Sequence, residues 1–139
     1  MVDLQKICKI EDASFSYDPY PSFLLERLLK DQEALFYVVA DQSEEIVGYL
    51  VSKIEGNNAH LISLAVLPTQ RRSGAATRLM DALIASLRKR KIREIGLEVR
   101  LDNKAAIQLY AQFRFSEERI IPQYYSDGSA ALLMRKVIG

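Results

Sequence analysis

The chain has 139 residues, 49% of them hydrophobic and 27% charged, the make-up of one compact globular domain spanning 1–139. Its net charge of +1 supplies no general field toward nucleic acid or membrane, so neither is an expected partner. Cys8 is the one cysteine, which excludes an intramolecular disulfide. No apolar run approaches the ~18–20 residues that span a bilayer or forms a signal-peptide core, so a cytoplasmic enzyme or binding domain is expected.

In chain order, residues 4–15 read as a helix with Leu4, Ile7, Cys8 and Ile10 on its apolar side. Asp18-Pro19-Tyr20-Pro21 is a stiff turn, because each proline restricts its predecessor as well as itself. Pro21 can open a second helix that turns Phe23, Leu24, Leu25, Leu28 and Leu29 inward. Strands are predicted over 35–40 and 46–54 around the polar turn Gln42-Ser43-Glu44-Glu45, and Gly56-Asn57-Asn58 is a hairpin signal leading into a central strand over 60–66. Pro68 stops that strand. From Ala75 the period changes: Ala76, Leu79, Met80, Leu83, Ile84 and Leu87 form one helical face, expected to run for about five turns. A strand over 95–101, a helix over 104–113 capped at Asp102-Asn103, a strand over 115–121, a turn at Ser126-Asp127-Gly128 and a last strand over 130–137 complete the chain. This order gives an α/β fold on a mixed sheet, antiparallel early and late, with a parallel crossover through the long helix.

Between the central strand and the long helix lies Thr69-Gln70-Arg71-Arg72-Ser73-Gly74. The first turn of a helix offers N–H groups without intrahelical partners, its dipole favours negative charge, and glycine lets the backbone approach a phosphate. Arg71 and Arg72 add bidentate donors. A phosphate or pyrophosphate site over 71–77 is one reading; an ordinary strand–loop–helix connection with solvated arginines is the other. Neither the dinucleotide pattern GxGxxG nor the Walker pattern GxxxxGK[ST] is present.

A second informative block is Leu97-Glu98-Val99-Arg100-Leu101-Asp102-Asn103-Lys104-Ala105-Ala106-Ile107-Gln108-Leu109-Tyr110. Asn103 and Tyr110 share a helix face about 10 Å apart along the axis. They can grip one extended ligand, or serve only as a cap and a core residue with a wet hydroxyl. His60, the only histidine, sits at a strand start and reads as structural or surface. Arg88-Lys89-Arg90-Lys91 reads as a solvated helix end that the dipole favours.

Val66-Leu67-Pro68-Thr69-Gln70-Arg71-Arg72-Ser73-Gly74-Ala75-Ala76 resembles the acetyl-CoA loop of the GNAT superfamily of N-acetyltransferases, whose pattern Gln/Arg-x-x-Gly-x-Gly/Ala is met by Arg71, Gly74 and Ala76. The second block resembles Glu-Val-Arg-x-x-Asn-x-x-Ala-x-x-Leu-Tyr of one GNAT branch. That branch holds the bacterial ribosomal-protein alanine N-acetyltransferases and the catalytic subunits of archaeal and eukaryotic N-terminal acetyltransferases. Its tail, paired tyrosines before Asp-Gly, is similar to Tyr124-Tyr125-Ser126-Asp127-Gly128, followed by Leu133-Met134-Arg135-Lys136. The resemblance implies the GNAT fold, a mixed sheet flanked by about four helices, with the usual first strand missing or vestigial at residues 1–3.

The resemblance further implies acetyl-CoA as cosubstrate and no metal. Backbone groups of Leu64, Ala65 and Val66 would hold the pantetheine arm, and Arg71, Arg72, Ser73, Gly74, Ala75, Ala76 and Thr77 the pyrophosphate. Asn103 would hydrogen-bond the cofactor, Tyr110 would serve as general acid at the sulfur, and Glu98 as general base. Tyr124 and Tyr125 would hold the acceptor backbone opposite the turn that carries Tyr20. The expected reaction is acetylation of protein N-terminal α-amines, ribosomal proteins among the candidate acceptors, by direct transfer in a ternary complex. Alternatives are a lysine or small-amine acetyltransferase, and a catalytically inactive CoA-binding partner subunit; an auxiliary subunit is also admitted. An α-amine has a pKa of about 7.7–8.0 against about 10.4 for lysine, so a modest base suffices, although a carboxylate alone is too weak to deprotonate an ammonium outright. Two positions depart from the family's usual residues, and a third, Ala76, is within the pattern but not its commoner form. Arg114 stands where glycine is usual and implies a changed helix end. Ala76 replaces the commoner glycine, and Asp102 adds negative charge near the acyl site.

Overall fold

The computed structural model describes residues 30, 33–67 and 74–138. The helices expected over 4–15 and from Pro21, the turn at 18–21, Cys8, the vestigial strand at 1–3 and the loop at 68–73 lie outside the described residues. From Ala34 onward the order is β1 (Ala34–Ala40), β2 (Ile46–Glu55), β3 (Asn58–Val66), α1 (Ala75–Lys89), β4 (Glu94–Arg100), α2 (Lys104–Gln112), β5 (Ser116–Ile121) and β6 (Ala131–Val137). These are the expected elements, with ends displaced by one or two residues.

Local chemistry sets the turns. Asp41 Oδ1 accepts from the backbone N–H groups of Ser43 at 2.9 Å and Glu45 at 3.0 Å, which closes the β1–β2 turn. Gly56 takes φ 62, a left-handed conformation that glycine adopts without a Cβ clash, and the next rung pairs Glu55 with Asn58. The long helix has fifteen residues, about four turns rather than five. Its buried residues are Ala75, Leu79, Met80, Leu83, Ile84 and Leu87; Ala76 is half-buried, so the inward stripe begins one residue earlier than the periodicity suggests.

The six strands form one mixed sheet in the order β1-β2-β3-β4-β6-β5. All neighbours are antiparallel except β3 and β4, which are parallel. β2 is buried continuously from Val47 to Ser52, as a strand covered on both faces must be. β5 is the charged edge, with Glu117, Glu118 and Arg119 exposed, a composition that discourages pairing with another sheet. The apolar core lies between the sheet and α1. Leu50, Leu83, Leu87, Ile95 and Leu97 are at its centre, and α2 adds Ala106, Ile107, Leu109, Tyr110 and Phe113 at its margin.

One irregularity lies in the middle of the sheet. Val51 pairs with Ser63 and Ser52 with Leu61, so Ile62 is an extra residue in β3. Such a bulge bends the strand and sharpens its twist. At the same place β3 loses β4: their ladder covers only Asn58, Ala59 and His60 opposite Glu94, Ile95 and Gly96. Both strands continue, β3 to Val66 and β4 to Arg100, with no ladder between them. β4 is held instead by β6 along its whole length.

The end of α2 keeps glycine-type geometry without the glycine. Arg114 adopts φ 70, its N–H donates to the Ala111 carbonyl at 2.9 Å, and the Phe115 N–H reaches back to the Tyr110 carbonyl at 3.0 Å. The change expected from Arg114 is therefore one of energy and not of shape, since an L-residue in this region is strained by about 1 kcal/mol. Arg114→Gly should raise the unfolding free energy by up to about 1 kcal/mol, read as a higher denaturant midpoint at unchanged slope. A lower midpoint would show that the arginine side chain stabilises the helix end.

Candidate active site

The parting of β3 and β4 has a closed end and an open end. At the closed end, the His60 imidazole and the Glu98 carboxylate share a hydrogen bond of 2.5 Å between Nε2 and Oε2. Glu98 lies two residues beyond the last rung at Gly96, so its side chain bridges back across the parting. The His60 side chain is 41% exposed and that of Glu98 20%. The bond to Glu98 raises the imidazole pKa above its ordinary value. Burial opposes this, and the charges of Glu98 and Glu55 add to it.

The β3 wall leads to the start of α1. Leu64, Ala65 and Val66 bury their side chains, so what this stretch can offer a ligand is backbone. Gly74 takes φ 84, and no side chain caps the helix there. Ala75 is buried, Ala76 half-buried and Thr77 exposed. A cleft of about 840 Å³ lined by Ala40, Asp41, Gln42, Ser43, Val47, Gly74 and Arg78 opens beside this first turn, on the side of the β1–β2 turn and apart from His60 and Glu98. Arg71, Arg72 and Ser73 lie outside the described residues. A β3 edge without a β4 ladder and an uncapped helix start fit an extended ligand that ends in a phosphate group.

The opposite wall comes from α2 and the β5–β6 connection. Asn103 Oδ1 accepts from the Ala106 N–H at 3.1 Å and so caps α2. Tyr110 is half-buried two turns on, its ring edge-to-face with Phe115 at 5.8 Å. Burial, with the charge of Tyr125 adding to it, pushes the Tyr110 phenol well above its usual range, so it remains protonated at neutral pH. Tyr124 and Tyr125 stand edge-to-face at 5.0 Å, and Tyr124 is exposed. Arg100 spans from the end of β4 to this connection: its guanidinium lies 4.2 Å from the Tyr125 ring centroid and pairs with Asp127 at 3.0 Å. Tyr20 lies outside the described residues.

Glu98 thus lies within β4, Asn103 and Tyr110 at the start and in the second half of the α2 that follows it, and the tyrosine pair in the β5–β6 connection, which Arg100 ties to the end of β4. Reading the strands singly missed His60, which is 38 residues from Glu98 and meets it only because β3 and β4 are parallel and in this register. The signal was available: a parallel crossover places the start of β3 beside the start of β4, within a side chain's reach of Glu98. The role of Arg100 was likewise invisible until Asp127 returned to it from the far side of the β5–β6 connection.

The fold and this site together define an acyl-CoA N-acyltransferase. Residues 3–115 match the model of the Acetyltransferase (GNAT) family, and the chain belongs to that family. It is an acetyl-CoA-dependent N-acetyltransferase. It is 33% identical over 147 residues to an N-alpha-acetyltransferase of Sulfurisphaera tokodaii, covering 96% of this chain and 87% of that one. The crystal structure of the ribosomal-protein-S18-alanine N-acetyltransferase from Escherichia coli superposes with a TM-score of 0.89 at 28% identity, covering 99% and 88% of the two chains. Ard1 from Thermoplasma volcanium superposes with a TM-score of 0.88 at 29% identity, covering 98% and 91%.

A Cβ at Gly74 meets nothing within 4 Å, so Gly74→Ala acts through the backbone alone. At φ 84 the alanine either strains the turn by about 1 kcal/mol or rotates the amides that follow. The expected result is a several-fold rise in KM for acetyl-CoA with little change in KM for the acceptor. Equal KM values for acetyl-CoA in the two proteins would place the phosphates elsewhere.

Proposed function

We propose that the protein acetylates the α-amino group of protein N-termini in the cytoplasm, by direct transfer from acetyl-CoA in a ternary complex. The observation that carries this reading is the His60–Glu98 pair at the closed end of the β3–β4 parting. The relatives, an N-alpha-acetyltransferase and a ribosomal-protein-S18-alanine N-acetyltransferase, support the acceptor class and make ribosomal-protein N-termini candidates.

The pair removes a difficulty in the chemistry. An α-ammonium at about 7.7–8.0 is poorly matched to a carboxylate near 4.3, but well matched to an imidazole whose pKa lies above 6.5. The neutral imidazole and the carboxylate together accept one proton, which resides on His60 and is held there by the charge of Glu98. About a tenth of α-amines are already neutral at pH 7, and the pair takes up the proton released as the nitrogen acylates. Lysine, near 10.4, would ask more of the same base.

The backbone of Leu64, Ala65 and Val66 holds the pantetheine arm as an added strand, and residues 71–77 hold the pyrophosphate. Bound acetyl-CoA supplies the acetyl group as a thioester. Asn103, whose Oδ1 is engaged as the cap, offers its amide N–H to the cofactor. The Tyr110 phenol, kept protonated by its surroundings, is the proton donor for the departing sulfur. Tyr20, Tyr124 and Tyr125 hold the acceptor backbone. Acyl transfer needs no covalent enzyme intermediate here, because base and acid face one cleft.

Thiol release from acetyl-CoA tests this directly. The acceptors are peptides with free N-termini beginning Ala, Ser, Met-Leu and Met-Glu, and an N-blocked peptide with an internal lysine. Turnover confined to free N-termini is expected, with Glu98→Gln and Tyr110→Phe each lowering kcat by about a hundredfold. Turnover mainly on the blocked peptide would make the protein a lysine acetyltransferase.

A further inference from the structure

We infer that Arg100 is a positioning residue for the acceptor: it clamps the β5–β6 connection so that Tyr124 and Tyr125 are held as a fixed wall. The inference rests on the acceptor role proposed for those two tyrosines and adds what sets their position.

The connection is long. It leaves β5 at Ile121 and enters β6 at Ala131. Within it a set of backbone hydrogen bonds shapes the turn. The N–H groups of Tyr124 and Tyr125 both donate to the Ser129 carbonyl, at 3.0 and 3.1 Å, and the Gly128 N–H donates to the Tyr125 carbonyl at 2.9 Å. Asp127 Oδ1 accepts from the Ser129 N–H at 2.9 Å. Gly128 sits at φ 86, the left-handed position such a turn requires. These bonds give the turn a shape but do not say where it sits relative to β4.

Arg100 supplies that. Its Nη1 donates to both carboxylate oxygens of Asp127, at 3.2 and 3.0 Å, while the guanidinium plane covers the Tyr125 ring. The two contacts constrain different things: the ion pair fixes the tip of the turn, and the stacking fixes the ring. The Arg100 side chain is 14% exposed and that of Asp127 40%, so the arginine end of the contact is held by its surroundings while the carboxylate end meets water. The Leu101 N–H adds a backbone tie to the Ala130 carbonyl at 3.0 Å, just where β6 begins. Glu98 and Arg100 alternate along one face of β4, so the same strand that carries the base carries the clamp. Tyr125, in turn, lies close enough to Tyr110 for its charge to weigh on that phenol.

The side-chain chemistry is specific to arginine. Lysine keeps the charge but has neither the fork nor the flat face, so it cannot reach Asp127 and cover Tyr125 together. Arg100→Lys and Asp127→Asn should each raise KM for the acceptor about tenfold, leave KM for acetyl-CoA within twofold, and move the melting temperature by no more than a few degrees. The double variant should lose little more than either single one, because both act through the same turn. In hydrogen exchange, the amides of Tyr124, Tyr125 and Gly128 should exchange faster in both variants. Unchanged acceptor KM would overturn the inference, as would equal rises in both KM values or a loss that follows melting temperature alone. KM is read on whichever amine the wild-type protein turns over best. Failure of the α-amine reading therefore appears in the wild-type choice of acceptor, and failure of the clamp in the variants.

Discussion

The ladder between β3 and β4 stops after three rungs, and the candidate site is a consequence of that stop. A parallel pair buried in the middle of a sheet normally keeps its hydrogen bonds, since buried backbone polar groups left without partners are costly. Here the extra residue at Ile62 bends β3 while β6 holds β4 straight, so the two strands separate at the middle of the sheet and not at its rim. The stretch from Leu61 to Val66 is left beside a gap that an extended ligand can fill with backbone hydrogen bonds. A binding cleft is made in this way without any loss of apolar core, because the side chains of that stretch remain packed.

The two helices follow from the same geometry. α1 leaves the end of β3 and α2 leaves the end of β4, so both N-termini lie at the open end of the parting. They are finished differently. α2 is capped by Asn103, whereas α1 starts at Gly74 with no side-chain cap. The uncapped start is the one positioned to meet an anion. At the closed end a different electrostatic arrangement holds. His60 has its proton affinity raised by Glu98; on α2, burial keeps the Tyr110 phenol protonated. The linkage also has a sign. Folding strengthens proton binding at His60, so the pair stabilises the fold at a pH below about 6.5 and ceases to as pH rises through the raised value.

Much of this was legible in the chain. The alternation and turn residues located every strand after residue 34, and the inward stripe of α1 was read to within one residue. The Asn103 and Tyr110 spacing pointed to one helix face because helices have a fixed period, whereas Glu98 was singled out by the family resemblance. What periodicity cannot show is which residues meet across the sheet. His60 looked like a strand-start residue because its partner lies on a strand reached only after the crossover through α1. Arg100 looked like part of a motif, and Asp127 like part of a turn, until the β5–β6 connection brought them together. Arg114 in place of the usual glycine implied a changed helix end, but the arginine takes the left-handed backbone at φ 70 and the end keeps its glycine-type hydrogen bonds.

The central claim is that His60 and Glu98 act as one base, and the pH dependence of turnover tests it most directly. The measurement is kcat/KM for a free-N-terminal peptide from about pH 5.5 to 9, on wild-type protein and on His60→Gln. The wild-type rate should rise as the imidazole loses its proton, with an apparent pKa above histidine's ordinary 6.5 superimposed on the titration of the peptide amine. In His60→Gln that ionisation should vanish, leaving the amine alone and a plateau at least tenfold lower. Profiles of the same shape and height in the two proteins would contradict the account and return His60 to a structural part.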